Sequence, residues 1–140
     1  MPTALVIEDD DAIRVLMSAL CSRLGLNVDV ASDGAEGVTM IRRCNYVALL
    51  LDLMLPKVNG FEVLREVRAS APSLLARTII VTAASESTLH DFDGGGTRLL
   101  LRKPFDIADL QDALVACTGS AEAPRTVPRR SPSMIRATLN

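Results

Sequence analysis

The chain has 140 residues, 49% apolar and 23% charged, with a formal net charge of −2 at neutral pH, a size and balance that suit one domain burying roughly two-thirds of its unfolded surface. Three Phe and one Tyr provide no platform for stacking the bases of a single strand, and no stretch approaches the roughly 18 uninterrupted apolar residues of a membrane span. Residues 1–120 carry 11 Lys and Arg against 16 Asp and Glu, which argues against nucleic acid as the main partner of this body.

In chain order, the first apolar run reads as a strand at 4–8; it has no basic leader and passes directly into four acids, Glu8 to Asp11. Asp10 and Asp11 are placed to cap a helix whose inner face is Ile13, Leu16, Met17, Leu20 and Leu24. A strand at 27–31 follows, then a helix marked by Val38 and Ile41. The third strand, 47–52, joins the apolar run Val47 to Leu51 to a carboxylate, Asp52. An ionised carboxylate in that setting must find a partner, bind a metal or shift its pKa.

"PKVNG" at 56–60 is turn chemistry, and Phe61, Leu64 and Val67 mark the next helix face. Strands are expected again at 78–82 and 98–102. Between them a helix within 85–95 is expected to be short or irregular, because "SESTLHDFDGGG" has few apolar anchors and each glycine costs about 1 kcal/mol in a helix. Ile107, Leu110, Leu114 and Cys117 give the last helical face. After Thr118, three prolines and four Arg against Glu122 divide the chain into a folded unit, 1–118, and a flexible basic tail, 119–140. Cys21, Cys44 and Cys117 are far apart and odd in number. They read as reduced core thiols, and the protein as cytoplasmic.

Strands alternating with helices are the pattern of an α/β protein with a parallel sheet, whose ligands bind beyond the C-terminal ends of the strands. That edge gathers Glu8 and Asp9 from the first strand, Asp52 from the third, Thr82 from the fourth and Lys103 after the fifth. Three neighbouring carboxylates repel, and a hard divalent cation such as Mg2+ is the natural remedy. A carboxylate beside Mg2+, faced by an ammonium and a hydroxyl, suits phosphoryl transfer: Asp52 as nucleophile, Lys103 and Thr82 on the phosphoryl oxygens. Each residue alone has an ordinary structural explanation, and His90 reads as a surface residue; five such residues on one rim are harder to explain separately.

The segments "ALVIEDDDAIR", "LLLDLMLPKVNGFEVL", "IIVTA" and "LRKPFD", in this order and spacing, resemble the signatures of the response-regulator receiver domain of two-component signalling, over residues 3 to about 118. The resemblance implies a doubly wound, flavodoxin-like sheet of five parallel strands in the order 2-1-3-4-5 with helices on both faces. It implies phosphorylation of Asp52 by a histidine kinase or phosphotransfer protein, Mg2+ held by Glu8, Asp9, Asp52 and the Met54 carbonyl, and a cis Pro104. It further implies that Met54 and Ala84, two residues beyond Asp52 and Thr82, orient or exclude the hydrolytic water, so that the phosphorylated state is long-lived.

Two departures stand out: Leu100 occupies the position of a usual aromatic residue, and Gly94–Gly96 replaces a Gly-Ala turn. The reading is a stand-alone receiver that catalyses only its own phosphorylation and dephosphorylation and signals to a downstream protein by contact. A receiver-fold interaction module with little phosphorylation-dependent switching is the alternative. A magnesium-dependent aspartyl phosphohydrolase would carry a second Asp where Met54 stands. A DNA-binding regulator would need a helix-turn-helix, which residues 119–140 do not contain.

Overall fold

The structure, a computed structural model, describes residues 2–118; the expectation of a flexible tail at 119–140 lies outside them. Its elements are β1 (Thr3–Ile7), α1 (Asp11–Arg23), β2 (Asn27–Ala31), α2 (Gly34–Arg43), β3 (Ala48–Leu51), α3 (Gly60–Ser70), β4 (Thr78–Thr82), β5 (Leu99–Arg102) and α4 (Ile107–Cys117), with a 3-10 turn at Pro72–Arg77. All strand pairings are parallel. The order is β2-β1-β3-β4-β5, as the resemblance implies.

The central strands are apolar on consecutive residues because both faces of the sheet are covered. Ala4, Val6, Leu50, Val81 and Leu101 face α1 and α4 through Met17, Leu20, Leu110 and Leu114. Leu5, Ile7, Leu49, Leu51, Ile80 and Leu100 face the opposite cluster, with Ile41 of α2 and Val63, Leu64 and Val67 of α3. The period of two in the strands and of three to four in the helices thus builds two cores on one sheet.

Each helix starts on a side chain that accepts a hydrogen bond from its first turn: Asp10 from the Ile13 N–H, Asp33 from Glu36, Asn59 from Glu62 and Asp106 from Ala108. At α3 the Glu62 side chain accepts in return from the Asn59 N–H, completing a capping box.

Several expectations need correction. Two strands, β3 and β5, are shorter than expected and β1 begins and ends one residue earlier, so Glu8 and Asp52 lie one residue beyond β1 and β3. Leu24 caps α1 instead of extending it. Ile107 is exposed, being the first residue of α4, whereas Leu110, Leu114 and Cys117 are buried. Cys44 is also exposed, while Cys21 and Cys117 are core thiols; burial pushes those two thiols up to about 12 and about 11.

The 3-10 turn arises where Pro72 forces its predecessor out of helical geometry, and Ala71 sits at φ −148° and ψ 61°. The irregular fourth helix is absent altogether. Residues 85–92 form successive turns, among them His90 N–H to Ser87 O and Phe92 N–H to Leu89 O. Gly94, Gly95 and Gly96 then take φ of 92°, 60° and 85°, in which no right-handed helix can continue. Only Leu89 and Phe92 anchor this stretch to the core, too little apolar area to offset the cost of nucleating a helix.

Candidate functional site

The parallel hydrogen-bond ladder runs one residue past three strand ends. Glu8 N–H donates to Ala31 O at 3.1 Å, Asp52 N–H to Ile7 O at 3.1 Å, and Lys103 N–H to Thr82 O at 2.8 Å. This fixes all three side chains on the C-terminal rim of the sheet. Asp9 follows Glu8 into the β1–α1 turn, and carboxylate oxygens of Glu8, Asp9 and Asp52 lie within 4.8 Å of one another. Glu8 and Asp52 are buried, and Asp9 is exposed.

Lys103 lies between two of these acids. Its Nζ is 2.9 Å from Glu8 Oε1 and 3.1 Å from Asp52 Oδ2. The other Asp52 oxygen, Oδ1, accepts from the Met54 N–H at 3.0 Å. The Lys103–Pro104 peptide is cis. Thr82 is buried at the end of β4, one strand from Asp52, with its Oγ1 accepting from the Ala84 N–H at 3.1 Å. The Met54 side chain is exposed, and Ala84 is buried. His90 is exposed and pairs with Asp91.

Burial pushes the Glu8 carboxyl up to about 7, against the lowering effects of Lys103 and the Asp10 N–H; the charge of Asp52 adds to the rise. Burial works to discharge Lys103, but its hydrogen bond to Glu8 and the charges of Asp52 and Glu8 outweigh this and hold its pKa above the ordinary lysine value. The rim sets three carboxyl groups against one ammonium, an excess of two acids over bases. That surplus, presented by oxygen donors only, fits a hard divalent cation such as Mg2+. Binding it would draw the proton from Glu8.

Among the site's close neighbours, sequence reasoning missed Arg14. Its Nη1 donates to the Glu8 carbonyl at 2.9 Å, and Nη2 pairs with the Asp11 carboxylate. The only signal was its place at i+3 from Asp11 on α1, which foretells the ion pair but not the bond to Glu8.

A five-stranded parallel sheet with an acid cluster, a buried aspartate and a lysine on its C-terminal rim defines a flavodoxin-like α/β domain with an aspartate-centred site. Residues 4–115 match the response regulator receiver domain, and the chain belongs to that family of two-component signalling proteins.

The chain is 34% identical over 112 residues to the DNA-binding dual master transcriptional regulator RpaA of Synechocystis sp., covering 79% of this chain and 46% of RpaA. It is 34% identical over 108 residues to the response regulator MprA of Mycobacterium leprae, covering 76% and 46% respectively. It therefore spans less than half the length of these relatives. Among solved structures, the receiver domain of sensor histidine kinase PA1611 from Pseudomonas aeruginosa, with a magnesium ion in its active-site cleft, is 30% identical with a TM-score of 0.74, covering 85% of this chain and 98% of that one. The response regulator TrrA of Thermotoga maritima, in complex with Mg2+ and BeF, is 26% identical with a TM-score of 0.73, covering 84% and 99%. Among the described residues, no helix is long and apolar enough to cross a membrane.

Proposed function

We propose that residues 1–118 form a cytoplasmic receiver unit that accepts a phosphoryl group on Asp52 from a phosphohistidine of a histidine kinase or phosphotransfer protein, with Mg2+ as cofactor. The observation that carries this reading is the holding of the Asp52 carboxylate. It is buried within a three-acid cluster, with one oxygen on the Met54 N–H and the other on Lys103.

In the transfer, an Asp52 oxygen attacks phosphorus. The new P–O bond forms as the P–N bond to the donor imidazole breaks, and the electron pair of that bond stays with the nitrogen, which takes up a proton. Lys103, already 3.1 Å from Asp52 Oδ2, is within reach of oxygens transferred there. Thr82 can turn its hydroxyl from the Ala84 N–H toward the same group. Glu8, Asp9, Asp52 and the Met54 carbonyl would hold the Mg2+, which when bound supplies neutralisation of the phosphoryl charge. The resulting state is read by a downstream protein through surface contact.

The test is incubation with Mg2+ and acetyl phosphate followed by intact mass measurement. The wild-type protein is expected to gain one phosphoryl group, and Asp52→Asn or protein in excess EDTA none. Equal gain in Asp52→Asn would remove Asp52 as the acceptor.

A further inference from the structure

We infer that Arg14 is a positioning residue for Asp9: by holding the Glu8 carbonyl it sets the Glu8–Asp9 peptide and, through it, the direction of the exposed metal-binding carboxylate. The inference rests on the Mg2+ reading above.

The two neighbouring acids are held very differently. Glu8 is buried, pairs with Lys103 and accepts from the Asp10 N–H at 3.1 Å. Asp9 is exposed, and the described residues offer its carboxylate no hydrogen bond or ion pair. Its orientation therefore depends on its backbone. The peptide on its N-terminal side is fixed through the Glu8 carbonyl, which accepts from Arg14 Nη1 at 2.9 Å. Arg14 is itself anchored, its backbone N–H donating to Asp10 O at 2.9 Å and its Nη2 pairing with Asp11. Its side chain is only 20% exposed, low for a cation in the first turns of a surface helix.

Charge alone does not explain this placement. A cation near the N-terminal end of a helix opposes the helix dipole, and a guanidinium beside the acid cluster repels an incoming Mg2+. The carbonyl contact supplies what electrostatics does not. It follows that the two roles predict changes of opposite sign: without Arg14, Mg2+ should bind more tightly if the residue acts only as a charge, and more weakly if it positions Asp9.

The experiment is calorimetric titration of the full chain with Mg2+ at fixed ionic strength, for wild type, Arg14→Met and Arg14→Lys, with a melt of each in EDTA. Arg14→Met is expected to weaken Mg2+ binding about tenfold, as loss of a group that orients a metal ligand does, while its EDTA melt stays close to wild type. Arg14→Lys, which keeps the charge but loses the two-armed reach, should fall between the two. A folded Arg14→Met that binds Mg2+ as tightly as wild type, or more tightly, overturns the inference. If Arg14→Met does not fold, Arg14→Lys decides: weaker binding than wild type supports positioning, and equal binding overturns it. A wild-type chain that binds no Mg2+ is a separate result, and it would remove the metal reading itself.

Discussion

Two connections leave neighbouring parallel strands at the same rim and are built in opposite ways. The loop after β3 carries Asp52 and is pinned on both sides. A Cβ on Gly60 would lie 2.4 Å from Leu53 Cα, and one on Gly34 would lie 1.6 Å from the Val58 carbonyl oxygen. Lys57, at φ 66°, pairs with Asp33 at 3.3 Å, and the Asn59–Glu62 capping box closes the loop. The connection after β4, residues 83–98, is turns and glycines; between buried Ala84 and the Arg98 N–H, which bonds Thr78 O at 2.8 Å, it is held by Leu89, Phe92, a bond from Arg68 Nη2 to Gly95 O at 3.0 Å and the Arg102–Glu86 pair at 3.5 Å. Chemistry at a carboxylate needs reacting groups held within fractions of an ångström. Reading out a change of state needs a segment whose local opening costs little. On the function proposed above, the first task falls to the β3 side, and the β4 side is built to suit the second.

The largest effect that could break this division comes from glycine substitution. Gly60→Ala or Gly34→Ala drives a methyl into backbone that cannot move aside, so a loss at or above the top of the usual 1–3 kcal/mol range, about 3 kcal/mol, is expected. Gly95→Ala meets only Arg68 and Phe92 side chains at 3.3 Å and beyond, and should cost about 1 kcal/mol for its left-handed backbone. Denaturant melts without metal would measure both. Equal losses at Gly60 and Gly95 would abolish the distinction between the two connections.

Metal should act on the tight side alone. A ligand bound only by the native state stabilises it by about 2.7 kcal/mol at a hundredfold excess over Kd, and the clustered acids lie at 8, 9 and 52. Mg2+ is expected to raise the melting temperature, much less so in Asp52→Asn, and to slow amide exchange around 8–11 and 52–60 while leaving 85–97 unchanged. A melting curve that ignores millimolar Mg2+ would count against the site.

The tight loop also bears on the lifetime of the proposed phosphorylated state. Neither Met54 nor Ala84 has a polar side-chain group to position a water. Since Ala84 is buried, a charged replacement there would disturb the core, whereas Met54 is 53% exposed and can be changed freely. Slow loss of phosphoryl label is expected in the wild type. In Met54→Asn it should be about tenfold faster if a positioned water limits hydrolysis. Unchanged decay would show that water positioning at Met54 does not set the lifetime.

Much of the tight side was legible in the sequence, because its residues are of unusual type for their places: a carboxylate ending an apolar strand at Asp52, acids directly after β1, a lysine after β5. The strand order came with the family resemblance, since periodicity shows strands but not their neighbours. Arg14 stayed hidden because a guanidinium reaching a carbonyl six residues back leaves no trace in residue type. The exposure of Ile107 and Cys44 depends on where helices begin and end, where an apolar residue can turn either way. The missing helix was half legible. Weak anchors and three glycines argued against it, but nothing in the pattern said that the segment would lean on α3.

That lean is the smallest effect and the most informative. Phe61 and Phe92 meet edge to face, with ring centroids 5.3 Å apart and planes at 89°. Such a pair contributes about 0.5–1.5 kcal/mol beyond its buried area. Phe61 directly follows Gly60, which sits on the backbone of Asp52 and Leu53, so this contact joins the fixed loop to the loose one. A double-mutant cycle with Phe61→Leu and Phe92→Leu should return a coupling in that range. If the pair also carries the change of state, Mg2+ with beryllofluoride should alter amide exchange across 89–97 in the wild type and much less in Phe92→Leu. Residues 99–117 should respond weakly, because Leu100 is a buried aliphatic packed in the core on the α3 side of the sheet and has no ring to swing. A large response confined to 99–117, with 89–97 silent, would place the readout on the far side of β5 and leave the aromatic pair a packing contact only.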